Sequence, residues 1–182
     1  MQISTKQILT VLYVLSWIIF FGICIEAGAF IFNAFFVLVI NPEGVYNLGN
    51  GTNLSALLKY DKGQFLVISF FMSLVAVMRA IIFYLIIRFL HNKKATLTSP
   101  FTKESVRFIL IISYWALLIG LFSGWGRNYS KWLIEKGVAM PDIEYLRLGG
   151  ADVWLFMAVI LFLIAQVFKR GIELQTESDL TI

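Results

Sequence analysis

The sequence predicts an all-α integral membrane protein, a four-helix bundle in one domain of residues 1–182, and three observations carry that prediction. Hydrophobic residues make up 59% of the chain and charged residues only 14%, well away from soluble-domain values. Mean hydropathy is +0.83. The apolar residues gather into four runs, about 8–40, 65–90, 106–122 and 151–168. Each is near the length at which a helix, rising about 1.5 Å per residue, crosses a hydrocarbon core of roughly 30 Å.

The first run, Ile8 to Ile40, has 33 residues. As a helix it would reach about 50 Å, so it is expected to tilt, kink or project beyond the bilayer. Lys6 followed by Ala27-Gly28-Ala29 has the outline of a secretory signal. The apolar stretch before it exceeds the roughly 7 to 15 residues of a signal core, and hydrophobicity resumes to Ile40, which favours a span. Between runs one and two, Asn41-Pro42, Glu43-Gly44 and Asn50-Gly51 break structure, so the loop is expected to be irregular or to carry one short helix near Leu54 to Tyr60.

The second run carries Arg79, and the hairpin after it contains Thr98-Ser-Pro-Phe-Thr-Lys-Glu104. Either Ser99 caps the third helix with Pro100 at its first position, or Thr102 caps it with Glu104 in the first turn. After the third run, Trp125 to Gly150 sets Tyr129, Trp132 and Leu133 at helical spacing against Lys131, Glu135 and Lys136. That pattern predicts an interfacial helix in the second outer loop, with its aromatics at headgroup level. The fourth run ends at Phe168, and a charged tail, 169–182, follows.

Four spans put both termini on one side with the hairpin around His91 to Arg107. That side holds eight Lys and Arg, against six in the two opposite loops. Arg88-x-x-His-x-Lys-Lys beside a long apolar run is the strongest cluster, which places both termini in the cytoplasm. The net charge of +4 lies near span ends, where lipid headgroups use it, so membrane lipids are expected partners and direct nucleic-acid binding is not. One cysteine and one histidine exclude an internal disulfide and a histidine-rich metal or haem site. No nucleophile and base can be assembled, so neither cofactor nor enzyme activity is expected. The Asn-x-Ser/Thr triplets at Asn50, Asn53 and Asn128 arise easily by chance.

Two polar residues stand where charge is costly. Arg79 lies about eleven residues, roughly 16 Å, from the near end of its run, where insertion costs about 2.5–3.5 kcal/mol unless it is paired or wetted. Glu26 is the acid deep within an apolar run, at a depth differing by about 10 Å if both helices stand upright. The pair Glu26 and Arg79 reads first as a structural ion pair, second as a site for a small ligand or ion, third as snorkelling. Gly22, Ala27, Gly28, Ala29 and Gly120-x-x-x-Gly124 allow close helix contact, within the chain or in a homodimer. Asn33, Ser69, Ser73, Ser113 and Gln166 are expected to hydrogen-bond between helices.

Pro100-Phe101-Thr102 with Glu104, four spans in about 180 residues, and above all Phe168-Lys-Arg-Gly-x-Glu-Leu-Gln-x-Glu-x-Asp-Leu-Thr-Ile182 resemble the bacterial membrane family called domain of unknown function 2975. Members are often encoded beside small helix-turn-helix regulators, so the resemblance implies a membrane anchor for such a regulator. The expected function is therefore a non-enzymatic bacterial inner-membrane regulatory protein; the alternative is a sensor or transporter-like protein using Glu26 and Arg79. In the tail, Glu173 and Glu177 fall one turn apart on a helix continuing from the fourth span. Leu174, Asp179, Leu180 and Ile182 complete the candidate contact surface, with Leu180-Thr181-Ile182 strand-like in composition. A solvated helix end, or packing back onto the hairpin, are the other readings of the tail.

Overall fold

The computed structural model describes residues 5–40, 53–92 and 102–179, with side chains described from Gln7 to Glu177. All regular structure among them is helical: α1 (Thr5–Phe35), α2 (Ser55–Tyr60), α3 (Lys62–His91), α4 (Lys103–Glu135) and α5 (Ala151–Asp179). Four helical stretches are long and apolar enough to cross a membrane: Gln7–Ile40, Lys62–His91, Lys103–Glu135 and Ala151–Glu177. The overlong first run is one helix whose last five residues, Phe36–Ile40, widen into a π-helical turn that buries Val37.

Local chemistry sets the element ends. Asn53 Oδ1 accepts the Ser55 amide, and buried Leu54, Leu57 and Leu58 pin the short α2 against α3. Asp61 caps α3 by accepting the Gln64 amide at 2.8 Å. Of the two starts open to α4, the Thr102 cap is the one formed, its hydroxyl accepting the Ser105 amide at 3.1 Å with Glu104 in the first turn; Ser99 lies outside the described residues. The α4 helix ends at Gly137, φ +84°, where the Gly137 and Val138 amides donate back to the Ile134 and Leu133 carbonyls. Buried Val138 and Leu133 complete this Schellman closure.

The interfacial helix expected within Trp125 to Gly150 is not a separate element. α4 runs unbroken to Glu135, because nothing before Gly137 stops it. Gly124 and Gly126 carry a helix penalty, yet tertiary packing offsets it: a Cβ on Gly126 would lie 2.8 Å from Leu148 Cδ1 and 3.2 Å from Phe71 Cβ. Tyr129 turns inward and donates to Gln64 Oε1, Leu133 is fully buried, and Trp132 stays exposed.

The helices run up and down in a row. Tyr13 meets His91 and Phe20 meets Tyr84, so α1 and α3 are antiparallel. Phe89 stacks on Phe108 at 4.0 Å while Tyr129 reaches Gln64, so α3 and α4 are too. Ser113 donates to the Ala158 carbonyl at 2.8 Å, and Gly120 faces Leu155, which sets α5 antiparallel to α4. Among the described residues the long helices contact as α1 with α3, α3 with α4 and α4 with α5, and α1 makes no contact with α5. α3 is the spine of the row, with 44% of its most apolar stretch buried against 6% for α1. Its buried stripe, Phe65, Ile68, Met72, Val75 and Ile82, follows the 3.6-residue period of a helix packed along one face.

Candidate functional site

Arg79 falls in that stripe, four residues after Val75 and three before Ile82, so helical geometry turns it toward the interior. Its guanidinium donates from Nη2 to the Arg147 carbonyl at 2.9 Å and lies 5.8 Å from the centre of the Trp154 ring, within cation–π range. Its Nε is buried with no hydrogen-bond partner among the described residues.

Continuing the register set by Tyr13–His91 and Phe20–Tyr84 brings Glu26 level with Arg79, removing the depth offset expected from upright helices. The ion pair of Glu26, however, is with Arg147, Oε1 to Nε at 2.5 Å. Sequence reasoning placed Glu26 and Arg79 in one polar group and missed the residue joining them. Arg147 offers its side chain to α1 and its carbonyl to α3. Trp154, in the first turn of α5, brings in the fourth helix, so the cluster bridges a row whose ends do not otherwise meet.

Arg147 holds this position because the 136–150 segment turns back into the molecule. Residues 143–147 form one helical turn closed by Arg147 N–H to the Glu144 carbonyl and Leu148 N–H to the Ile143 carbonyl. Arg147 has φ +57°, at the post-helix position where glycine is the usual residue. Leu146 and Leu148, both 0% exposed, anchor the turn on either side. An arginine kept in a left-handed conformation, which costs about 1 kcal/mol, is a sign that its side chain is used. A lone Arg in the loop between α4 and α5 gives no sequence signal for this role; its neighbours Leu146 and Leu148, apolar within that loop, are the available hint.

The tail candidates lie elsewhere. α5 carries its helix past the apolar run to Asp179, so Glu173 and Glu177 do fall one turn apart. Glu173 pairs with Arg170 at 2.9 Å, both well exposed, and Leu174 is 52% exposed. Thr176 donates to the Ile172 carbonyl. The side chain of Asp179, and all of Leu180 and Ile182, lie outside the described residues. Among the described residues no three His, Cys, Asp or Glu side chains gather to hold a metal ion.

A family model described as "Protein of unknown function (DUF2975)" matches residues 50–182. That range takes in Arg79, Arg147, Trp154 and the tail, and leaves out Glu26. No curated protein and no solved structure matches the chain.

Proposed function

The chain belongs to the family described as Protein of unknown function (DUF2975), and from that premise we propose that it is a non-enzymatic anchor for a small soluble regulator at the bacterial inner membrane. The observation that supports this reading is the run-on of α5, an exposed helical stub with Glu173, Leu174 and Glu177 along it. An exposed helix end of this kind is an element that a soluble domain can take in a groove. A helix-turn-helix protein is the partner class that the family resemblance implies.

Capture from a mild-detergent extract tests the reading. The full chain should retain its partner and a chain ending at Ile172 should lose it while keeping its thermal midpoint; the same proteins recovered without the tail would sink the proposal. The basic excess beside Arg88 and Lys169 supports a cytoplasmic tail. A C-terminal green fluorescent protein fusion should therefore glow and an alkaline phosphatase fusion stay inactive.

The buried, unpartnered Nε of Arg79 favours a second reading, a sensor or transporter-like site. Two guanidinium groups face one carboxylate there, leaving positive charge for a small anion. Under it, Arg79→Leu removes a stability shift produced by small carboxylates or chloride, and tail deletion leaves that shift intact.

A further inference from the structure

The second buried arginine nitrogen without a partner points to another site. Arg127 stands on α4 two turns before Glu135, and its Nε is buried with no hydrogen bond among the described residues. Arg127, Ser130 and Lys131 form one wall of a groove of about 450 Å³ whose other wall is Met140, Asp142 and Ile143. The groove exists because the Schellman closure at Gly137 turns the chain back alongside the helix it has just left. Arg127 and Lys131, one turn apart on α4, line the same concavity.

We propose that this groove binds a phosphate group. A guanidinium donates to phosphate oxygens through its terminal N–H groups, and a nearby ammonium adds a point charge. Asp142 opposes them, so two cations and one anion leave a single positive charge. That balance suits the single negative charge of a phosphodiester better than a dianion. The level of the groove points to a lipid headgroup as the source. Trp125 and Trp132 stand at its level on the opposite face of α4 with more than two fifths of their surface exposed, and Lys136 Nζ lies 5.8 Å from the Trp132 ring centre. Exposed tryptophans beside an apolar helix mark the depth at which headgroups lie. The groove is at the end of the bundle opposite the C-terminal tail, so the inference does not depend on the tail's role.

The test uses the full chain in a zwitterionic detergent, with native mass spectrometry and thermal unfolding as readouts. Three probes are added separately: phosphatidylglycerol, phosphatidylcholine and inorganic phosphate. Phosphatidylglycerol should bind and raise the midpoint, phosphatidylcholine should do so less, and the double variant Arg127→Gln/Lys131→Gln should weaken phosphatidylglycerol roughly tenfold or more. Lys59→Gln/Lys62→Gln removes the same charge from the same end outside the groove and should leave binding unchanged. A shift with inorganic phosphate alone, lost in the groove variant, would keep the site and reassign its source to a free anion. Equal losses in the two double variants, or no binding of any probe, would overturn the site.

Discussion

The contacts of α4 with α5 and of α1 with α3 both contain small residues at helical spacing, yet only one is closely packed. On α5, Ala151, Ala158 and Ala165 recur every seven residues and are all buried. Ala158 meets Ser113 and Ala151 meets Gly120, both of α4 and both buried. A Cβ on Gly120 would lie 2.7 Å from Leu155 Cγ and 3.1 Å from the Ala151 carbonyl oxygen. On α1, Gly22 and Gly28 have nothing within 4 Å of a Cβ. Between α1 and α3 lies an open apolar groove of about 510 Å³ edged by Phe20, Cys24, Gly28 and Tyr84. Small residues permit close approach; a facing surface of matching shape makes it happen. α1 is held instead by Tyr13 against His91, by Glu26 on Arg147 near its middle and by buried Phe30 beyond it.

The largest expected effect attacks the close pair. Gly120→Leu forces α4 and α5 apart and should cost about 3 kcal/mol, with Gly120→Ala costing about 1 kcal/mol. Thermal unfolding in detergent reads both, and an unchanged midpoint for Gly120→Leu would mean that the interface is not close-packed. Next comes the spine, where Arg79→Leu leaves the Arg147 carbonyl without its donor and should cost about 1–2 kcal/mol.

Smaller again is the tie on α1. Glu26→Gln and Arg147→Gln should each cost about 1 kcal/mol or less, because Arg147 is more than half exposed. A double-mutant cycle should give a double variant no worse than the worse single one. Both should also speed reaction of Cys24 with a membrane-permeant maleimide, since Cys24 borders the groove that α1 closes. Unchanged labelling would show that the ion pair does not seat the helix. The smallest effect is Gly28→Ala, which meets open space and should be neutral or stabilise by about 0.5 kcal/mol. A loss as large as that of Gly120→Ala would erase the contrast between the two pairs.

The Glu26 and Arg79 cluster was half legible in the sequence. Arg79 announces itself because a charge in an apolar run must turn inward, and its place between Val75 and Ile82 says which face. Its actual partner is hidden, since a backbone carbonyl has no sequence signature and Arg147 resembles any loop cation. The interfacial helix shows the reverse failure. Tyr129, Trp132 and Leu133 suggest an amphipathic surface helix, but periodicity cannot say that the same polar and apolar faces lie between α3 and solvent rather than between lipid and water.

By itself the sequence determined the class of the protein, its four long helices and the helical continuation of the tail, and it narrowed the start of α4 to two caps. Those features follow from hydropathy, run length and local hydrogen-bonding groups, all of which act within a few residues. Tertiary structure alone decided that α1 and α5 do not meet, that Gly120 is filled against while Gly28 is not, and that Arg147 joins Glu26 to Arg79. These depend on register and on a loop folding back through three left-handed residues, Gly137, Arg147 and Gly150, and such long-range geometry is set by packing between elements far apart in the chain.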